Sequence, residues 1–329
     1  MKVCLYGELT GALKGSGIGT AIDQQRKALG LNGVEVTHSH RDRFDVIDIN
    51  TIGPRSAYVA QKMRWMGIPV AIHTHTTAED LKDSFKFTTK LAPKVKHYLR
   101  YFYNQADLLI SPSEYTRGVL KEYNVTPDIK VISNGVDTER FAFNEDARRR
   151  YRNKYSLNGV TPFTVGHVFK RKGVLEFIDL ANEFPDTKFM WYGRTYRELT
   201  DGEVKNAVKH APRNVTFTGY VRDVQAAYCS GDVFLFPSWC ENQGISILEA
   251  AACGRPLVDR DLPTYDGWLE HGVNCLKAGD NGGFTENLKS LLDDERLRER
   301  LGGNAYSMSR GHTLKKIGAQ LKGAYESLL

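Results

Sequence analysis

Residues 238–269, SWCENQGISILEAAACGRPLVDRDLPTYDGWL, carry the clearest structural signal in this 329-residue sequence. They follow an apolar run at 232–236 that is typical of a buried strand, and Pro237 ends that run. A polar loop comes next, and an apolar helix is predicted to begin at about Gly244. The start of a helix presents unpaired backbone N–H groups and a partial positive charge, which favour a bound phosphate. This strand–loop–helix segment therefore predicts an α/β sheet with an anion-binding edge.

Two glutamates flank the predicted helix start. Glu241 lies in the loop, and Glu249 falls about one and a half turns inside the helix. A carboxylate on each side of a phosphate can hold sugar hydroxyls, and a phosphate with a sugar on both sides is a nucleotide sugar. A nucleotide-sugar site is therefore the hypothesis that the other motifs must support.

Length and composition indicate a globular protein of two domains. A chain of 329 residues is too long for one ordinary core. Its hydrophobic content of 41% and charged content of 26% are typical of soluble proteins, and no apolar run approaches the roughly 20 residues of a membrane-spanning helix. The N-terminus lacks a signal-peptide pattern, and five scattered cysteines without C-x-x-C spacing favour a reducing compartment and argue against a zinc site. We expect a cytoplasmic protein whose net charge of +6 suits an anionic partner.

Strand and helix signals alternate through both halves of the chain, which indicates βαβ units and parallel sheets. The basic segment 144–155, NEDARRRYRNKY, lacks a wide apolar stripe and is predicted to be a linker or a surface helix. We therefore predict two Rossmann-like domains, 1–155 and 156–311, with a last helix at about 312–329 that completes the first. Ligands of such sheets bind beyond the carboxyl ends of the strands, so we expect the site in the cleft between the domains.

A long helical region is predicted at about 78–104, with a break or kink at its proline. Lys82, Lys86 and Lys90 recur every four residues and form a basic stripe on one helix face, which Lys94 extends if the helix stays straight. Aromatic residues are interleaved with these cations, a pattern that favours docking on an anionic membrane surface. A solvated helix face with a tyrosine-rich core side explains the same pattern. RNA binding is a third interpretation, but no RNA-binding signature accompanies it, so we expect no nucleic-acid partner.

Two further motifs follow strands of the first half. The glycines of residues 15–19, GSGIG, depart from the spacing of the dinucleotide fingerprint. We interpret the loop around Gly17 as a flexible one that brings backbone N–H groups near a phosphate or an acceptor, with a plain glycine turn as the alternative. His73 and His75 end a strand and face one side, but a metal needs more ligands than these two. We expect a nitrogen of His75 to face the reacting sugar, with a structural, hydrogen-bonded histidine as the alternative.

Two charged motifs lie in the second half. Lys170, Arg171 and Lys172 precede a predicted helix, and three consecutive cations at that place are suited to neutralising a diphosphate. A solvated turn is the alternative. Residues 259–261, DRD, match the Asp-x-Asp pattern by which some sugar transferases hold a metal, but three letters are a weak signal. We interpret this motif as a solvated loop and expect no metal.

The assembled motifs resemble the retaining glycosyltransferases of family 4, which have the GT-B fold of two Rossmann-like domains facing across a cleft. Glu241 and Glu249 match that family's pair of glutamates with seven residues between them. The run EAAACGRP at 249–256 matches its continuation, and SNGVD at 133–137 is similar to the family's segment before the hinge. Shorter segments are similar to bacterial diacylglycerol glucosyltransferases and diglucosyl-diacylglycerol synthases: 73–75, 91–93, 169–173, 260–269 and 272–277.

The resemblance implies a role for each donor-binding candidate. Glu241 would contact the donor sugar's hydroxyls near the reacting carbon, and Glu249 would hold the ribose hydroxyls. Lys172 matches the family lysine on the diphosphate. His167 stands where the family has an arginine, and Arg171 is the candidate to replace that arginine. The remaining candidates are Asn242, Gln243, which stands where many members have Phe, the backbone N–H groups of Gly244 and Ile245, and Gly17.

The resemblance also implies the activity. We expect a retaining, metal-independent hexosyltransferase that moves glucose from UDP-glucose, as co-substrate, to a diacylglycerol or a membrane glycolipid. His75 matches the family's active-site histidine, so His75 and Glu241 are the predicted catalytic residues. A lipid acceptor implies a peripheral protein on the inner face of the cell membrane. Transfer to a soluble acceptor, nucleotide-sugar epimerisation, and nucleotide-sugar binding without turnover are the alternatives.

Overall fold

The computed structural model describes residues 1–8, 15–82, 84, 88–196 and 200–329, without the side chains of residues 88–91. The chain divides into two compact units. The first contains Met1–Leu81, Lys90–Gly135 and His312–Leu329, and the second contains Lys82–Thr89 and Val136–Gly311. Each unit is built on its own six-stranded sheet, as the alternating strand and helix signals predict.

The sheet of the first unit is parallel throughout. Its strands are β1 Lys2–Tyr6, β2 Glu35–Thr37, β3 Val46–Ile49, β4 Val70–His73, β5 Leu108–Ser111 and β6 Asp128–Val131. They are hydrogen-bonded in the order β2-β1-β3-β4-β5-β6. The central strands β3, β4 and β5 are buried along their whole length, as is typical where helices cover both faces of a parallel sheet. The carboxyl ends of β3 and β4 lie side by side, which positions the residues that follow them.

Helices alternate with these strands. They are α1 Gly17–Gly30, α2 Pro54–Trp65, α3 Ala78–Leu81, α4 Thr88–Tyr103 and α5 Glu114–Glu122. Helix α1 begins earlier than predicted, because Gly17 and Gly19 belong to its first turn rather than to a loop. Ser16 caps the helix, and its hydroxyl accepts a hydrogen bond from the Gly19 N–H at 3.2 Å. Residues 9–14, which include the start of the predicted glycine loop, lie outside the described residues.

The predicted helix at 78–104 is interrupted. Lys82 lies in a turn after α3, and α4 continues through Pro93, where a break or kink was predicted. Ser84 is buried, and its hydroxyl accepts a hydrogen bond from Arg171 Nε at 2.9 Å within the second unit. A tertiary contact of this kind leaves no signal in the helical periodicity of the sequence.

Lys82 does not share a helix face with the other lysines of the predicted basic stripe. Lys82 is exposed in the turn and does not share the helix of Lys94, which is exposed on α4. Lys86 and the side chain of Lys90 lie outside the described residues. Among the helices that the structure describes, none is both long and apolar enough to cross a bilayer.

The second unit has the same architecture. Its strands are β7 Pro162–Val165, β8 Phe189–Tyr192, β9 Val215–Phe217, β10 Val233–Phe236, β11 Leu257–Arg260 and β12 Leu276–Ala278. They are parallel and lie in the order β12-β11-β10-β7-β8-β9. Its helices are α6 Glu145–Tyr155, α7 Val174–Glu183, α8 Gly202–Lys209, α9 Val224–Ser230, α10 Ile245–Ala252, α11 Asn281–Asp293 and α12 Glu295–Ser309. Because β7 and β10 are neighbours, the loops that follow them lie side by side.

Strand β11 corrects the prediction for the DRD motif. Asp259 and Arg260 are buried in this strand, and only Asp261 is exposed as a solvated loop requires. Burial raises the pKa of Asp259 well above its ordinary value. The Arg260 guanidinium lies 3.6 Å from the centre of the Trp239 ring. A buried strand is recognised by a continuous apolar run. Two charged residues at the end of β11 interrupt that run, so the sequence did not indicate the strand.

Helix α6 belongs to the second unit, so the two units divide at 135/136 rather than at the predicted 155/156. Arg148 and Arg152 both bind Asp232, with N–O distances of 2.6 and 2.9 Å. The buried ring of Tyr151 lies beside that of Tyr192. The basic segment is therefore the predicted surface helix rather than a linker, and two of its cations pair with a carboxylate that precedes β10.

The last helix, α13 Leu314–Glu326, belongs to the first unit although it follows the whole second unit in the chain. It packs against α1, and Gly318 allows the close approach. A Cβ at Gly318 would lie 2.0 Å from the carbonyl oxygen of Ala28. Asn32 Nδ2 donates a hydrogen bond to the Lys315 carbonyl oxygen at 3.0 Å, which ties the end of α1 to the start of α13.

Candidate active site

Two loops of the second unit meet at a glycine. The loop after β7 forms a short 3-10 turn, Lys170–Lys172, and ends at Gly173, whose φ is +75°. A Cβ at Gly173 would lie 2.2 Å from the carbonyl oxygen of Pro237, the first residue after β10. The Trp239 N–H also donates to the Arg171 carbonyl oxygen at 2.8 Å. Glycine is needed both for the left-handed backbone and for the close approach, and the contact holds the cationic turn against the loop after β10.

Glu241 lies at the centre of a buried charge cluster. Its Oε1 atom is 2.5 Å from Lys172 Nζ and 3.3 Å from Arg171 Nη1. The Ser238 hydroxyl donates to the same oxygen at 2.6 Å. Burial by itself would raise the pKa of Glu241, but the charges of Lys172 and Arg171 lower it below its ordinary value. The carboxylate is therefore ionised at neutral pH although it is buried.

The cationic turn is only partly solvated. Arg171 is buried, its Nε donates to Ser84, and its Nη1 donates to the Cys240 carbonyl oxygen. Lys170 points outward instead, and its Nζ lies 2.5 Å from a carboxylate oxygen of Glu203. The alternative interpretation of a solvated turn is therefore wrong for Arg171 and applies to Lys170.

Helix α10 begins behind Gly244, whose φ of +90° favours glycine, and the predicted helix start is present at Ile245. Glu249 is buried within α10, and its Oε2 accepts a hydrogen bond from the Tyr228 hydroxyl at 2.6 Å. Burial raises the pKa of Glu249 to about 7, although the Tyr228 hydrogen bond and the charge of Arg140 act in the other direction. This second glutamate is therefore only partly ionised at neutral pH.

The loop between the two glutamates is buried as well. Asn242 and Gln243 are both buried. The Thr264 hydroxyl donates to the Asn242 carbonyl oxygen at 3.0 Å. This contact connects the segment 260–269, one of the segments that indicated lipid-glycosylating enzymes, directly to the loop that carries Glu241.

His167 is neutral and does not replace the charge of the family's arginine. Its ring lies 5.3 Å from that of Phe169 and 5.1 Å from that of Tyr196, measured between ring centres. Burial, together with nearby cations of which Lys172 acts most strongly, lowers the pKa of His167 to about 4. Its Nδ1 atom is buried without a hydrogen-bond partner among the described residues. The positive charges next to Glu241 therefore include Lys172 and Arg171, and His167 adds none.

In the first unit, His75 follows the end of β4 and is held by neighbouring side chains. Its ring stacks on that of His73, with centres 5.2 Å apart and planes at 14°. Its Nε2 atom lies 2.9 Å from Asn50 Oδ1 and 3.4 Å from Gln25 Nε2. Burial lowers the pKa of His75 well below its ordinary value, so the imidazole is neutral at neutral pH. One ring nitrogen of His75 is therefore hydrogen-bonded within the first unit.

A buried network behind His75 was not predicted from the sequence. Asp48 of β3 is fully buried, and its Oδ2 atom lies 2.7 Å from His73 Nδ1. The Tyr325 hydroxyl of α13 donates to the same oxygen at 2.5 Å. The network reaches His75 through the stacked rings. A carboxylate inside the buried run VIDI was the available signal, because a buried charge needs partners.

Gly17 and the DRD motif have different surroundings: Gly17 belongs to the first unit, whereas Arg260 of the DRD motif contacts the loop after β10 through Pro237 and Trp239. Gly17 is exposed at the start of α1 in the first unit, and a Cβ there would meet nothing within 4 Å. Packing therefore gives no reason for glycine at this position. The DRD motif ends β11 at the edge of the second unit's buried core. Across the described residues, His, Cys, Asp and Glu side chains nowhere form a group of three or more that could hold a metal ion.

The chain forms two parallel six-stranded sheets, and candidate residues follow the ends of several of their strands. This is the arrangement of the GT-B class of glycosyltransferase folds. HepE from Anabaena, in a crystal structure with UDP and glucose, is similar to this chain with a TM-score of 0.82. The two sequences are 18% identical, and the match covers 100% of both chains. At this identity the likeness establishes the fold, and it confirms the GT-B prediction.

Sequence comparisons identify the family. Residues 161–294 match the model of glycosyl transferases group 1, and residues 20–140 match that of glycosyltransferase family 4. The processive diacylglycerol alpha-glucosyltransferase of Acholeplasma laidlawii is 31% identical over 334 residues, covering 100% of this chain and 99% of that enzyme. The alpha-monoglucosyldiacylglycerol synthase of Streptococcus pneumoniae is 27% identical, covering 84% of this chain and 65% of that enzyme. The chain belongs to the family-4 glycosyltransferases, which confirms the resemblance drawn from its motifs.

Proposed function

We propose that this chain transfers glucose from UDP-glucose to a diacylglycerol or to a membrane glycolipid, with retention of the anomeric configuration. The observation that carries the proposal is the full-length identity of 31% to a diacylglycerol alpha-glucosyltransferase. The similarity to an alpha-monoglucosyldiacylglycerol synthase supports the same acceptor class. The glucose of UDP-glucose is alpha-linked, so an enzyme that makes an alpha-linked product from it retains the configuration.

The charge cluster of the second unit supports the donor-binding part of the proposal. Glu241 is held ionised by cations, and an ionised carboxylate is the stronger acceptor for sugar hydroxyls. We assign Lys172, whose Nζ lies 2.5 Å from Glu241 Oε1, to the diphosphate next to that sugar. Glu249 is assigned to the ribose hydroxyls. The other residues of the proposed donor site are Arg171, Asn242, Gln243, the backbone N–H groups of Gly244 and Ile245, and the uncharged His167. Gly17 of the first unit is a further candidate.

The reaction needs charge stabilisation and positioning rather than an enzyme nucleophile. The acceptor hydroxyl attacks the anomeric carbon on the face from which UDP departs, and an oxygen of the departing diphosphate takes the hydroxyl proton. The bond from the anomeric carbon to the phosphate oxygen breaks as the glycosidic bond forms, so negative charge develops on the diphosphate. Lys172 and the start of α10 at Ile245 stabilise that charge. His75, neutral and oriented by Asn50, holds a hydroxyl of the sugar or of the acceptor.

We propose further that the chain needs no cofactor besides the nucleotide sugar and that it works as a peripheral protein on the inner face of the cell membrane. A nucleotide-sugar donor is a soluble, charged molecule, whereas a diacylglycerol acceptor stays in the bilayer. An enzyme that joins them has to work at the boundary between the two phases. The proposed donor residues are all protein groups suited to an anionic, sugar-bearing ligand.

A donor-by-acceptor screen tests the proposal. The purified full-length chain is incubated with UDP-glucose, UDP-galactose or GDP-mannose, and with diacylglycerol or monoglucosyl-diacylglycerol in detergent micelles, or with soluble acceptors. We expect a hexosyl-lipid product from UDP-glucose by mass spectrometry, with an alpha-anomeric proton signal by NMR. Product with soluble acceptors alone, or UDP-glucose binding without any product, contradicts the proposed acceptor. Full activity of Glu241→Ala contradicts the proposed site.

A further inference from the structure

Trp239 is an exposed aromatic residue in the loop that carries Glu241. Its side chain is 52% exposed, whereas Ser238 and Glu241 of the same loop are buried. A single exposed apolar side chain is ordinary on a protein surface and indicates no ligand by itself. The contacts that hold the ring, and the position of the ring beside the proposed donor residues, give this tryptophan its significance.

The indole ring of Trp239 is fixed although it is exposed. Its Nε1 donates a hydrogen bond to Glu176 Oε1 of α7 at 2.8 Å, and its backbone N–H donates to the Arg171 carbonyl oxygen at 2.8 Å. The Arg260 guanidinium lies 3.6 Å from the centre of the ring and covers one of its faces. The exposed area therefore lies on the other face and on the edge. A ligand that covers this face loses little side-chain entropy, because the ring is already held in place.

The two side chains that hold the ring have hydrogen-bonding capacity to spare. Arg260 is buried, and its Nε and Nη1 donate to the carbonyl oxygens of Pro237 and Gly279, both at 3.3 Å. Its Nη2 atom, and the Oε2 atom of Glu176, are buried without a hydrogen-bond partner among the described residues. Buried polar atoms usually have partners, so these two indicate a polar ligand group beside the indole. One of them is a donor and the other is an acceptor.

An aromatic face with a donor and an acceptor beside it suits a sugar. One face of a hexopyranose carries C–H groups that a flat aromatic ring can cover, while the hydroxyls at the rim of the sugar both donate and accept hydrogen bonds. An acyl chain is the competing occupant of an exposed indole. It would cover the ring but leave both polar atoms unsatisfied, so the observations favour the sugar.

We infer that Trp239 binds the hexose that a glycolipid acceptor already carries. The donor sugar is assigned to Glu241, which is buried, whereas Trp239 lies two residues earlier and faces solvent. The acceptor sugar reaches the loop from the solvent side, so it meets the exposed ring. The inference rests on the proposed function and deepens it, because it makes Trp239 a specificity residue that favours a glycolipid over a diacylglycerol as the acceptor. A diacylglycerol has no sugar to place on the ring.

Acceptor kinetics of the full-length chain in detergent micelles test this inference. In Trp239→Ala the KM for monoglucosyl-diacylglycerol should rise by about tenfold, which corresponds to about 1.4 kcal/mol, because the ring no longer covers the sugar. The KM values for diacylglycerol and for UDP-glucose should stay at those of the wild type. Trp239→Tyr retains a flat aromatic ring and should recover most of the loss. The matched control is Tyr306→Ala, which removes another exposed aromatic residue of the second unit and should change none of the three values.

The split between the two acceptors distinguishes sugar binding from other roles. An equal rise in KM for monoglucosyl-diacylglycerol and for diacylglycerol assigns Trp239 to the lipid chains or to the structure of the loop, and it overturns the inference. A rise in the KM for UDP-glucose alone assigns the ring to the donor sugar and overturns it as well. Unchanged values in Trp239→Ala have the same consequence.

A binding measurement separates this inference from the proposed function. Saturation-transfer NMR with methyl alpha-glucoside as the probe requires no turnover. We expect a signal with the wild type and with Tyr306→Ala, and none with Trp239→Ala. The signal should persist when an unreactive fluorinated analogue of UDP-glucose fills the donor site, and its loss would place the glucoside in that site and overturn the inference. A wild type that makes no lipid product overturns the proposed function, while the glucoside signal still decides whether Trp239 binds a sugar.

Discussion

Glu241 and Glu249 flank one helix start, yet their surroundings set opposite charge states. Glu241 is in contact with two cations from the loop after β7, which hold its pKa below the ordinary value. Glu249 is met by the neutral hydroxyl of Tyr228, and burial raises its pKa to about 7. The difference shows that the family spacing of two glutamates specifies their places, while partners distant in the chain specify their ionisation.

If both glutamates bind the donor as proposed, their charge states imply that one of them has to release a proton and the other does not. Glu241 is already ionised and oriented, so it accepts a hydroxyl hydrogen bond without losing a proton. Glu249 carries a proton in a large fraction of molecules at neutral pH, and a ribose diol that donates two hydrogen bonds favours the ionised form. Under the proposed donor assignment, donor binding would be coupled to proton release at Glu249 and not at Glu241.

Glu241→Gln is expected to have the largest effect. The variant leaves Lys172 and Arg171 buried without their counter-charge, so the free energy of unfolding should fall by about 3 kcal/mol. Transition-state contacts to the sugar and the placement of Lys172 are lost together, so kcat/KM should fall by roughly 10²- to 10³-fold. Urea denaturation and initial rates with UDP-glucose measure the two effects.

Glu203→Gln is the matched control for that change. Glu203 also pairs with a lysine of the same turn, Lys170, but both side chains are largely exposed. Solvent screens such a pair, so its loss should change the unfolding free energy by less than about 0.5 kcal/mol and leave kcat/KM unchanged. Equal effects of the two substitutions would show that the buried cluster has no special role.

The donor affinity should depend on pH through Glu249. With a pKa of about 7, the ionised fraction of Glu249 rises steeply between about pH 6 and about pH 8, so the KM for UDP-glucose should fall by about tenfold across that range. Glu249→Gln should show a raised KM at pH 8 and no such step. Initial rates at saturating acceptor measure both. A step of the same size in the variant assigns the titration to another group.

The same group makes the unfolding free energy depend on pH with a defined sign. The pKa of Glu249 is raised in the folded protein, so its contribution to stability is fully present below about pH 4.5 and is lost as pH rises through about 7. Between about pH 4.5 and about pH 7, the unfolding free energy of the wild type should therefore fall as pH rises, whereas that of Glu249→Gln should lack this contribution. Denaturation of both proteins at several pH values measures the difference.

Tyr228→Phe is expected to have the smallest effect. The Tyr228 hydroxyl donates the hydrogen bond that lowers the pKa of Glu249, so its removal should move the midpoint of the KM step upward by about one pH unit. Tyr192→Phe is the control, because that buried hydroxyl is hydrogen-bonded to Ser230 and not to a carboxylate. A downward shift in Tyr228→Phe, or equal shifts in both variants, contradicts the assignment of the step to Glu249.

The fold could be predicted from the sequence where local pattern and tertiary structure agree. The predictions of a strand at β10 and of an apolar helix after Gly244 are confirmed. A buried strand and a buried helix both appear in a sequence as continuous apolar segments. Strand β11 was missed, because Asp259 and Arg260 are buried against the rule for charged residues. The turn at Lys82 was missed, because the helical periodicity of 78–104 gives no sign of the contact between Ser84 and Arg171, which are 87 residues apart.

The site was predictable in its residues and not in its interactions. The motifs that carry Glu241 and Lys172 indicated two ligand contacts, but nothing in either motif shows that the two side chains contact each other. The network behind His75 joins Asp48 to Tyr325, which is 277 residues further along the chain. A pairing of that separation leaves no local pattern, because each partner sits in an element with its own periodicity.

The position of α13 has a consequence for biosynthesis. A ribosome synthesises the chain from its N-terminus onward, and domains generally complete their fold in that order. Here α13 is synthesised only after every residue of the second unit. Until then, the hydrogen bond from the Tyr325 hydroxyl to Asp48 cannot form. The unit whose synthesis begins first is therefore the last to be finished, and a nascent chain passes through a stage in which the second sheet can be complete while the apolar side of α1 is still uncovered.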